Sequence, residues 1–259
     1  MTPTEPQFLD VGAGVAHRRI ACLLQAGSSP GLVWLQGFKS DMVSTKATAL
    51  AEWAAHQRLG LARFDYSGHG RSGGRFEDGT LGRWLEEARA VFDRLTAGPQ
   101  ILIGSSMGGA IALALLRRLM VEHPAAAARI RALVLIAPAW DLTEELMWKA
   151  FPDAVKRAVM DTGVWLRPSH YGEPYPITRG LIEDGRRHLL ARRRWNPGRP
   201  VVILHGRLDP DVPFAHSEVL TGFLDGGWAR LREVADGEHR LSRPEDLALL
   251  FQLIDGVRD

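Results

Sequence analysis

Short, continuously apolar runs recur along this chain, and most of them precede a segment whose apolar residues fall on one face of a helix. The clearest runs are GLVWLQG (residues 31–37), LGLARFDY (59–66), QILIGSS (100–106), RALVLIAPA (131–139) and RPVVILHG (199–206). A strand that is apolar throughout has both of its faces covered by other elements. Because such strands alternate here with helical patterns, the sequence predicts a mostly parallel, doubly wound α/β sheet.

Two regions depart from this alternation. Residues 8–24, FLDVGAGVAHRRIACLL, predict two strands around a Gly-Ala-Gly turn, and therefore an antiparallel hairpin at the edge of the sheet. Residues 140–197 combine several short helical patterns with the proline-rich stretch RPSHYGEPYPI (167–177), which we interpret as a loop. This region predicts a small helical cap at the carboxyl end of the strands, where open α/β folds bind ligands. We therefore expect a single domain, residues 1–259, with the cap inserted at residues 140–197.

Composition narrows the class of protein without identifying it. The chain has 259 residues, enough for one large core, and its formal net charge of +2 gives no general attraction to nucleic acid. Its single cysteine, Cys22, permits no internal disulfide and no cysteine-rich metal site. The first residues lack the basic and apolar regions of a secretory signal, and no run approaches the roughly 20 apolar residues of a membrane span. We expect a cytoplasmic protein without stable membrane insertion.

The stretch GSSMG (104–108) fits the pattern G-x-S-x-G between a predicted strand and a predicted helix. In that pattern the serine stands at the apex of a sharp turn with a strained backbone, and small neighbours let the strand and helix pass each other. A frame centred on Ser105 would need glycine where Ile103 and Met107 stand. We therefore predict Ser106 as a nucleophile, with a tight turn and a helix-capping serine as the alternative.

A serine nucleophile needs a base to accept its proton and a carboxylate to orient that base. On a sheet of this type they follow the serine in the order acid, then histidine. Asp209 lies in the loop after the last of the five apolar runs, and His239 follows the final strand-like segment. We predict Asp209 as the acid and His239 as the base, and Asp211 and Asp141 are the alternative acids.

The chain has nine histidines, and a given histidine is more often structural or exposed than catalytic. Besides His239 they are His17, His56, His69, His123, His170, His188, His205 and His216. We interpret His205, at the end of a predicted strand, as a packing residue and place His216 on a helix. Asp65 and His69 in FDYSGHGRSGG form a second acid–histidine pair, which we interpret as structural, with Asp65 capping the turn.

An acyl-transfer site also needs two backbone N–H groups to bind the oxyanion. We predict that one belongs to Met107, the residue after the nucleophile, and the other to Phe38, which follows the first predicted strand of the alternating series. The helix that begins after Ser106 directs its N-terminal N–H groups at the site, which favours negative charge there. This chemistry needs no metal and no organic cofactor.

Taken in order, the motifs LQGFKSD, FDYSGHGRSGG, GSSMGG, HGRLDPDVP and GEHRLS make nearly the whole chain resemble the α/β-hydrolase-fold serine hydrolases. The block GFKSD…TK…FDYSG and the run GEHR resemble most the subgroup of the mitochondrial palmitoyl-protein thioesterase and acyl-glucuronide esterase, with its bacterial relatives. The resemblance implies a sheet of about eight strands with the cap inserted after strand 6. One departure is Gln36 before Gly37, where many members have histidine, which changes the side chain available to hold the oxyanion loop.

These residues predict a hydrolase that cleaves small-molecule carboxylic esters or thioesters through an acyl-enzyme on Ser106. A carbon–carbon bond hydrolase or a perhydrolase would use the same three side chains, and a non-catalytic ligand-binding protein on this fold is the alternative of another class. In the cap, the apolar face of LTEELMWKAF (142–151) predicts that Met147 and Trp148 contact the acyl group, with packing on the domain as the alternative. We interpret a group of cap arginines as a solvated face, and the alternative is that one binds a substrate carboxylate. They are Arg186, Arg187, Arg192, Arg193 and Arg194.

Overall fold

The computed structural model describes residues 5–169 and 172–258. Its strands are β1 (Gln7–Val11), β2 (Arg18–Gln25), β3 (Ser28–Leu35), β4 (Leu59–Phe64), β5 (Gln100–Ser105), β6 (Ile130–Ile136), β7 (Val164–Ser169), β8 (Gly172–Thr178), β9 (Val201–Gly206) and β10 (Ala229–Val234). Eight of them form one sheet in the spatial order β1-β2-β4-β3-β5-β6-β9-β10. The pairs β1–β2 and β2–β4 are antiparallel and all others in this sheet are parallel. The predicted parallel sheet and its N-terminal hairpin are confirmed.

Helices cover both faces of the sheet. The described α-helices are α1 (Thr45–His56), α2 (Leu81–Leu95), α3 (Met107–Glu122), α4 (Pro124–Ala127), α5 (Asp153–Thr162), α6 (Arg179–Gly185), α7 (Phe214–Phe223) and α8 (Pro244–Asp255). Buried residues of α1 and α8 share one hydrophobic core, and those of α2, α3 and α7 share the other. None of the helices in the described ranges combines the length and the apolar character needed to cross a membrane.

The central strand β5 shows why the strands are apolar throughout. Ile101 and Ile103 belong to the core under α1 and α8, whereas Leu102 belongs to the core under α2 and α3. Successive side chains of a strand point to opposite faces, so a strand between two helical layers needs apolar residues at every position. This arrangement buries β5 completely and leaves only its carboxyl end open for chemistry.

After β6, the sixth strand of the chain as predicted, a separate layer is inserted before β9. It contains a π-helical turn (Leu142–Trp148), α5, the antiparallel β7–β8 hairpin and α6. Asp184 of α6 attaches this layer to α2, because its Oδ2 accepts a hydrogen bond of 2.7 Å from the backbone N–H of Gly82.

One interpretation within the predicted cap is wrong, since residues 167–169 and 172–177 of the proline-rich stretch lie in the paired strands β7 and β8 rather than in a loop. Each strand of a two-stranded hairpin has a free edge, so proline, which lacks an N–H, is tolerated there. His170, one of the histidines considered above, lies outside the described residues.

Candidate active site

Ser106 stands at a sharp turn between β5 and α3. Its φ of 53° and ψ of −116° lie in a region that residues with a side chain rarely occupy. A Cβ atom on Gly108 would lie 1.9 Å from the carbonyl oxygen of Leu35, and one on Gly104 would lie 2.5 Å from the carbonyl oxygen of Gly108. The two glycines therefore let α3 begin directly against β3 and β5, with the serine at the apex.

Three loops at the carboxyl edge of the sheet bring Ser106, His239 and Asp209 together. Ser106 Oγ lies 3.2 Å from His239 Nε2, and His239 Nδ1 lies 2.7 Å from Asp209 Oδ2. Asp209 follows β9 and His239 follows its parallel neighbour β10. Since a carboxylate accepts the hydrogen on Nδ1, Nε2 of the neutral ring is unprotonated and can accept the hydroxyl hydrogen of Ser106.

The carboxylate of Asp209 accepts four hydrogen bonds. The backbone N–H groups of Asp211 and Val212 each donate to Oδ1 at 2.8 Å, while His239 Nδ1 at 2.7 Å and His205 Nε2 at 3.1 Å reach Oδ2. Burial alone would raise the pKa of the Asp209 carboxyl, but the hydrogen bonds from His205 and His239 outweigh burial and hold that pKa well below its usual range. Asp209 is therefore ionised at neutral pH and able to stabilise a protonated imidazole.

The other serine lines the same cavity as Ser106 but is buried, and one alternative acid binds elsewhere. Ser105 is buried as the last residue of β5. Asp141 directs its carboxylate to the backbone N–H groups of Leu190 and Ala191, at 2.6 and 2.7 Å. Asp141 thus holds the cap in place, and the structure does not bring its carboxylate to His239.

Within the described part of the chain, Asp209, Asp211 and His239 form the one group whose ligand atoms, all within 4.8 Å of one another, could hold a metal ion. Two of these residues are joined directly by the hydrogen bond between His239 Nδ1 and Asp209 Oδ2. A metal ion on those two atoms would displace the hydrogen and separate the histidine from the acid. The donor set therefore fits a hydrogen-bonded pair better than a metal site.

His205 is buried, as its interpretation as a packing residue implies, but its ring also reaches Asp209. Its side chain is buried, and Nε2 lies 3.1 Å from Asp209 Oδ2 and 2.9 Å from the carbonyl oxygen of Val212. His216 instead stacks on Trp140, with 4.2 Å between the ring centroids. The signal that could have identified His205 is its spacing of four residues from Asp209 across the end of β9.

The predicted oxyanion donors lie beside the nucleophile. Phe38 lines the same cavity as Ser106, and Met107 is the first residue of α3. A Cβ atom on Gly37 would lie 3.4 Å from the Cβ of Ser106, so the loop that carries Phe38 packs directly against the serine. No described residue accepts a hydrogen bond from the backbone N–H of Phe38. The Phe38 amide is therefore left without an acceptor within the described part of the chain.

The loop after β3 is held by side chains from the segment that follows β4. His69 Nε2 accepts the backbone N–H of Lys39 at 3.2 Å, and burial lowers the pKa of His69 to about 4, so its ring is neutral. Gln36 Nε2 donates to the carbonyl oxygen of Ser40 at 3.0 Å and to Asp65 Oδ1 at 3.4 Å. Gln36 therefore joins the loop after β3 to Asp65, directly after β4.

A cavity of about 600 Å³ opens at Ser106 and His239 between the sheet and the inserted layer. The inserted layer lines it with Leu142, Leu146, Met147, Arg167, Glu173 and Tyr175. The structure thus brings Met147 to the site but not Trp148. The indole ring of Trp148 packs against the guanidinium group of Arg186, which lies 4.8 Å from the ring centroid.

Four of the five cap arginines considered as carboxylate ligands form ion pairs within the described residues. Arg186 pairs with Glu144 and Arg192 with Glu145, each with an N–O distance of 3.1 Å. None of the five lines the cavity among the residues that the structure describes. The cations that do line it are Lys39, Lys46, Arg167 and Arg240.

The sequence is similar to known hydrolases over most of its length. Residues 32–181 match the Hydrolase_4 family, described as serine aminopeptidase, S33. The mitochondrial palmitoyl-protein thioesterase ABHD10 of Homo sapiens is 35% identical over 240 residues, which are 90% of this chain and 74% of that protein.

Two solved structures share the fold in full. A putative hydrolase from Agrobacterium vitis S4 has 42% identity and a TM-score of 0.95, with 99% of this chain and 100% of that chain covered. Mouse α/β hydrolase domain-containing protein 10 has 28% identity and a TM-score of 0.83, with 96% and 97% covered.

Proposed function

Since this chain belongs to the Hydrolase_4 family of α/β-hydrolases, we propose that it hydrolyses carboxylic esters or thioesters through an acyl-enzyme on Ser106. The observation that carries the proposal is the line of contacts from Ser106 Oγ through His239 to Asp209, with distances of 3.2 and 2.7 Å. The family description mentions a peptidase, but relatives that align with 90% of the chain are named thioesterases. Their names favour an acyl ester or thioester over a peptide as the substrate.

The proposed reaction has two halves. Ser106 Oγ attacks the acyl carbonyl carbon while its hydrogen passes to His239 Nε2, and Asp209 stabilises the resulting imidazolium. As the tetrahedral intermediate collapses, His239 returns the proton to the alcohol or thiol leaving group, and the acyl group stays on Ser106. Water then repeats both steps, which releases the carboxylic acid and restores the serine. Because His239 must be unprotonated to act as the base, the rate is expected to fall in acid.

The charge that develops on the acyl oxygen is bound by the backbone N–H groups of Phe38 and Met107. Met107 is also the first residue of α3, so the positive end of the helix dipole supports the same negative charge. The acyl chain extends into the cavity toward Met147, whose side chain is 2% exposed. Each of these contributions comes from the protein itself, without a cofactor.

Two serine variants in the same loop test the proposal. Ser106→Ala should lower kcat on p-nitrophenyl butyrate by a factor on the order of 10³ or more, since the three side chains act as a unit. It should also abolish covalent labelling by a fluorophosphonate. Ser105→Ala, the matched control one residue away, should keep most of the activity. Wild-type turnover in both variants would reject the nucleophile, and a wild-type protein that neither hydrolyses esters nor takes the label would favour a ligand-binding protein.

A further inference from the structure

One donor to the Asp209 carboxylate has no part in the reaction described above. His205, at the end of β9, has a side chain with 0% exposure. Its Nε2 lies 3.1 Å from Asp209 Oδ2, the same oxygen that His239 Nδ1 reaches at 2.7 Å. Both histidines therefore bind one carboxylate oxygen, and only one of them contacts the nucleophile.

The ring of His205 is held in a defined orientation. Its Nε2 also lies 2.9 Å from the carbonyl oxygen of Val212, and since both neighbours of Nε2 are acceptors, this nitrogen carries a hydrogen. On the opposite side of the ring, Nδ1 lies 2.7 Å from Oγ of Ser217 on α7. The carbonyl and the hydroxyl fix the ring plane, and thereby the direction from which the Nε2 hydrogen approaches Asp209.

We propose that His205 is a positioning residue, which holds Asp209 Oδ2 in line with His239 Nδ1 and takes up part of the negative charge of that oxygen. The inference rests on the proposed function, because it concerns the orientation of the base. A carboxylate held by backbone N–H groups at Oδ1 alone could rotate and carry Oδ2 away from His239. A second donor on Oδ2 prevents this rotation and moderates the attraction of the carboxylate for a proton on His239.

Loss of this donor has two consequences that loss of packing alone does not have. The chemical step slows while KM stays the same, because His205 is not among the described residues that line the cavity. The acid limb of the pH profile, where kcat/KM falls as the His239–Asp209 pair takes up a proton, also moves to higher pH. The reason is that an Asp209 carboxylate with one hydrogen-bond donor fewer stabilises that proton more strongly. Charged side chains that line the cavity together with His239, among them Lys46, Asp211 and Arg240, are unchanged in every variant below.

The test compares His205→Met with His205→Gln, two side chains of similar size of which glutamine alone can donate a hydrogen bond. In His205→Met we expect kcat on p-nitrophenyl butyrate to fall about tenfold, with KM unchanged. The acid limb of kcat/KM should move up by roughly half a pH unit to one pH unit. His205→Gln should restore most of kcat and the wild-type limb. The matched control is His216→Met, since His216 bonds to the carbonyl oxygen of Trp140 and not to Asp209, and it should change neither quantity.

Equal losses in both His205 variants with an unmoved acid limb would make His205 a structural residue and overturn the proposal. If His205→Met does not fold, Ser217→Ala replaces it, because loss of the Ser217 hydroxyl frees Nδ1 of the His205 ring. An acid limb of kcat/KM at higher pH in that variant supports the proposal, and an unmoved acid limb overturns it. Histidine titration by NMR in the Ser106→Ala background, with and without His205→Met, needs no turnover. A higher titration midpoint for His239 in the variant with His205→Met supports the positioning role, and an unmoved midpoint overturns it. Failure of the wild type to hydrolyse esters would reject the proposed function alone and would leave this readout intact.

Discussion

Replacement of Asp209 by asparagine exchanges one carboxylate oxygen for an NH₂ group at a position where every neighbour is a donor. The backbone N–H groups of Asp211 and Val212, both 2.8 Å from Oδ1, cannot become acceptors. On the other side, His239 Nδ1 can become a hydrogen-bond acceptor if the ring hydrogen moves from Nδ1 to Nε2. The NH₂ group should therefore face His239, which places the base in the tautomer that cannot accept the hydrogen of Ser106.

The wrong tautomer determines the size of the effect. In a serine–histidine–acid triad, an asparagine at the acid position lowers kcat by a factor on the order of 10⁴. At about 1.36 kcal/mol for each factor of ten, the activation free energy rises by about 5.5 kcal/mol. The effect on folding is much smaller, on the order of 1 kcal/mol, because the Nε2 hydrogen of His205 keeps the carbonyl oxygen of Val212 as its acceptor.

The measurement is steady-state hydrolysis of p-nitrophenyl butyrate, with circular dichroism to establish that each variant is folded. Asp211→Asn is the matched control, because it keeps the backbone N–H that donates to Asp209, and it should retain most of its activity. Asp141→Asn should affect stability rather than kcat, since its carboxylate binds the backbone of the cap. A folded Asp209→Asn variant with kcat within about tenfold of the wild type would refute the reasoning. A loss confined to Asp211→Asn would move the acid to that residue.

The cap, the serine turn and the histidines His69 and His216 carry three further predictions. Met147→Ala should change the ratio of kcat/KM between long and short p-nitrophenyl esters by about tenfold or more. Trp148→Ala should leave this ratio unchanged, since of the two residues only Met147 lines the cavity. An unchanged ratio in both variants would place acyl selectivity elsewhere. Gly108→Ala should lower the free energy of unfolding in urea by about 3 kcal/mol, because its Cβ would lie 1.9 Å from a carbonyl oxygen of β3, and wild-type stability would contradict that close approach. Burial lowers the pKa of His69 and of His216 to about 4, below the unfolded value of about 6.5. Between these pH values the unfolded state binds more protons than the folded state. The free energy of unfolding should therefore fall as the pH goes from about 6.5 to 4. In His216→Gln this fall should be shallower, and an unchanged slope would contradict the prediction.

The strand pattern and the serine turn were predictable because both depend on neighbours along the chain. Side chains alternate between the faces of β5, so Ile101 and Leu102 enter different cores and residues 101–103 are all apolar. The turn at Ser106 needs small residues two positions before and two positions after it, which is a local requirement. The loops of Asp209 and His239 could be placed near the serine because parallel strands end at the same edge of a sheet.

The inserted layer was predicted less well, since its structure depends on partners distant in the sequence. An apolar helical pattern in residues 142–151 indicates that one face is buried, but it does not identify what covers each side chain. The π-helical turn directs Met147 into the cavity and leaves Trp148 against Arg186. Residues 167–169 and 172–177 of the proline-rich stretch likewise lie in two strands that pair with each other, which composition does not report.

The sequence by itself determined the fold class, the site of the sharp turn and the loops from which the serine, the acid and the histidine come. These features follow from periodicities of two and 3.6 residues and from the chain order of the motifs, which are properties of the covalent chain. The tertiary structure alone decided that His205 shares an oxygen of Asp209 with His239 and that Gln36 bonds to Ser40 and Asp65. A hydrogen bond forms only within a few tenths of an ångström of its ideal length, and that precision arises from the packing of whole helices and strands rather than from any local pattern.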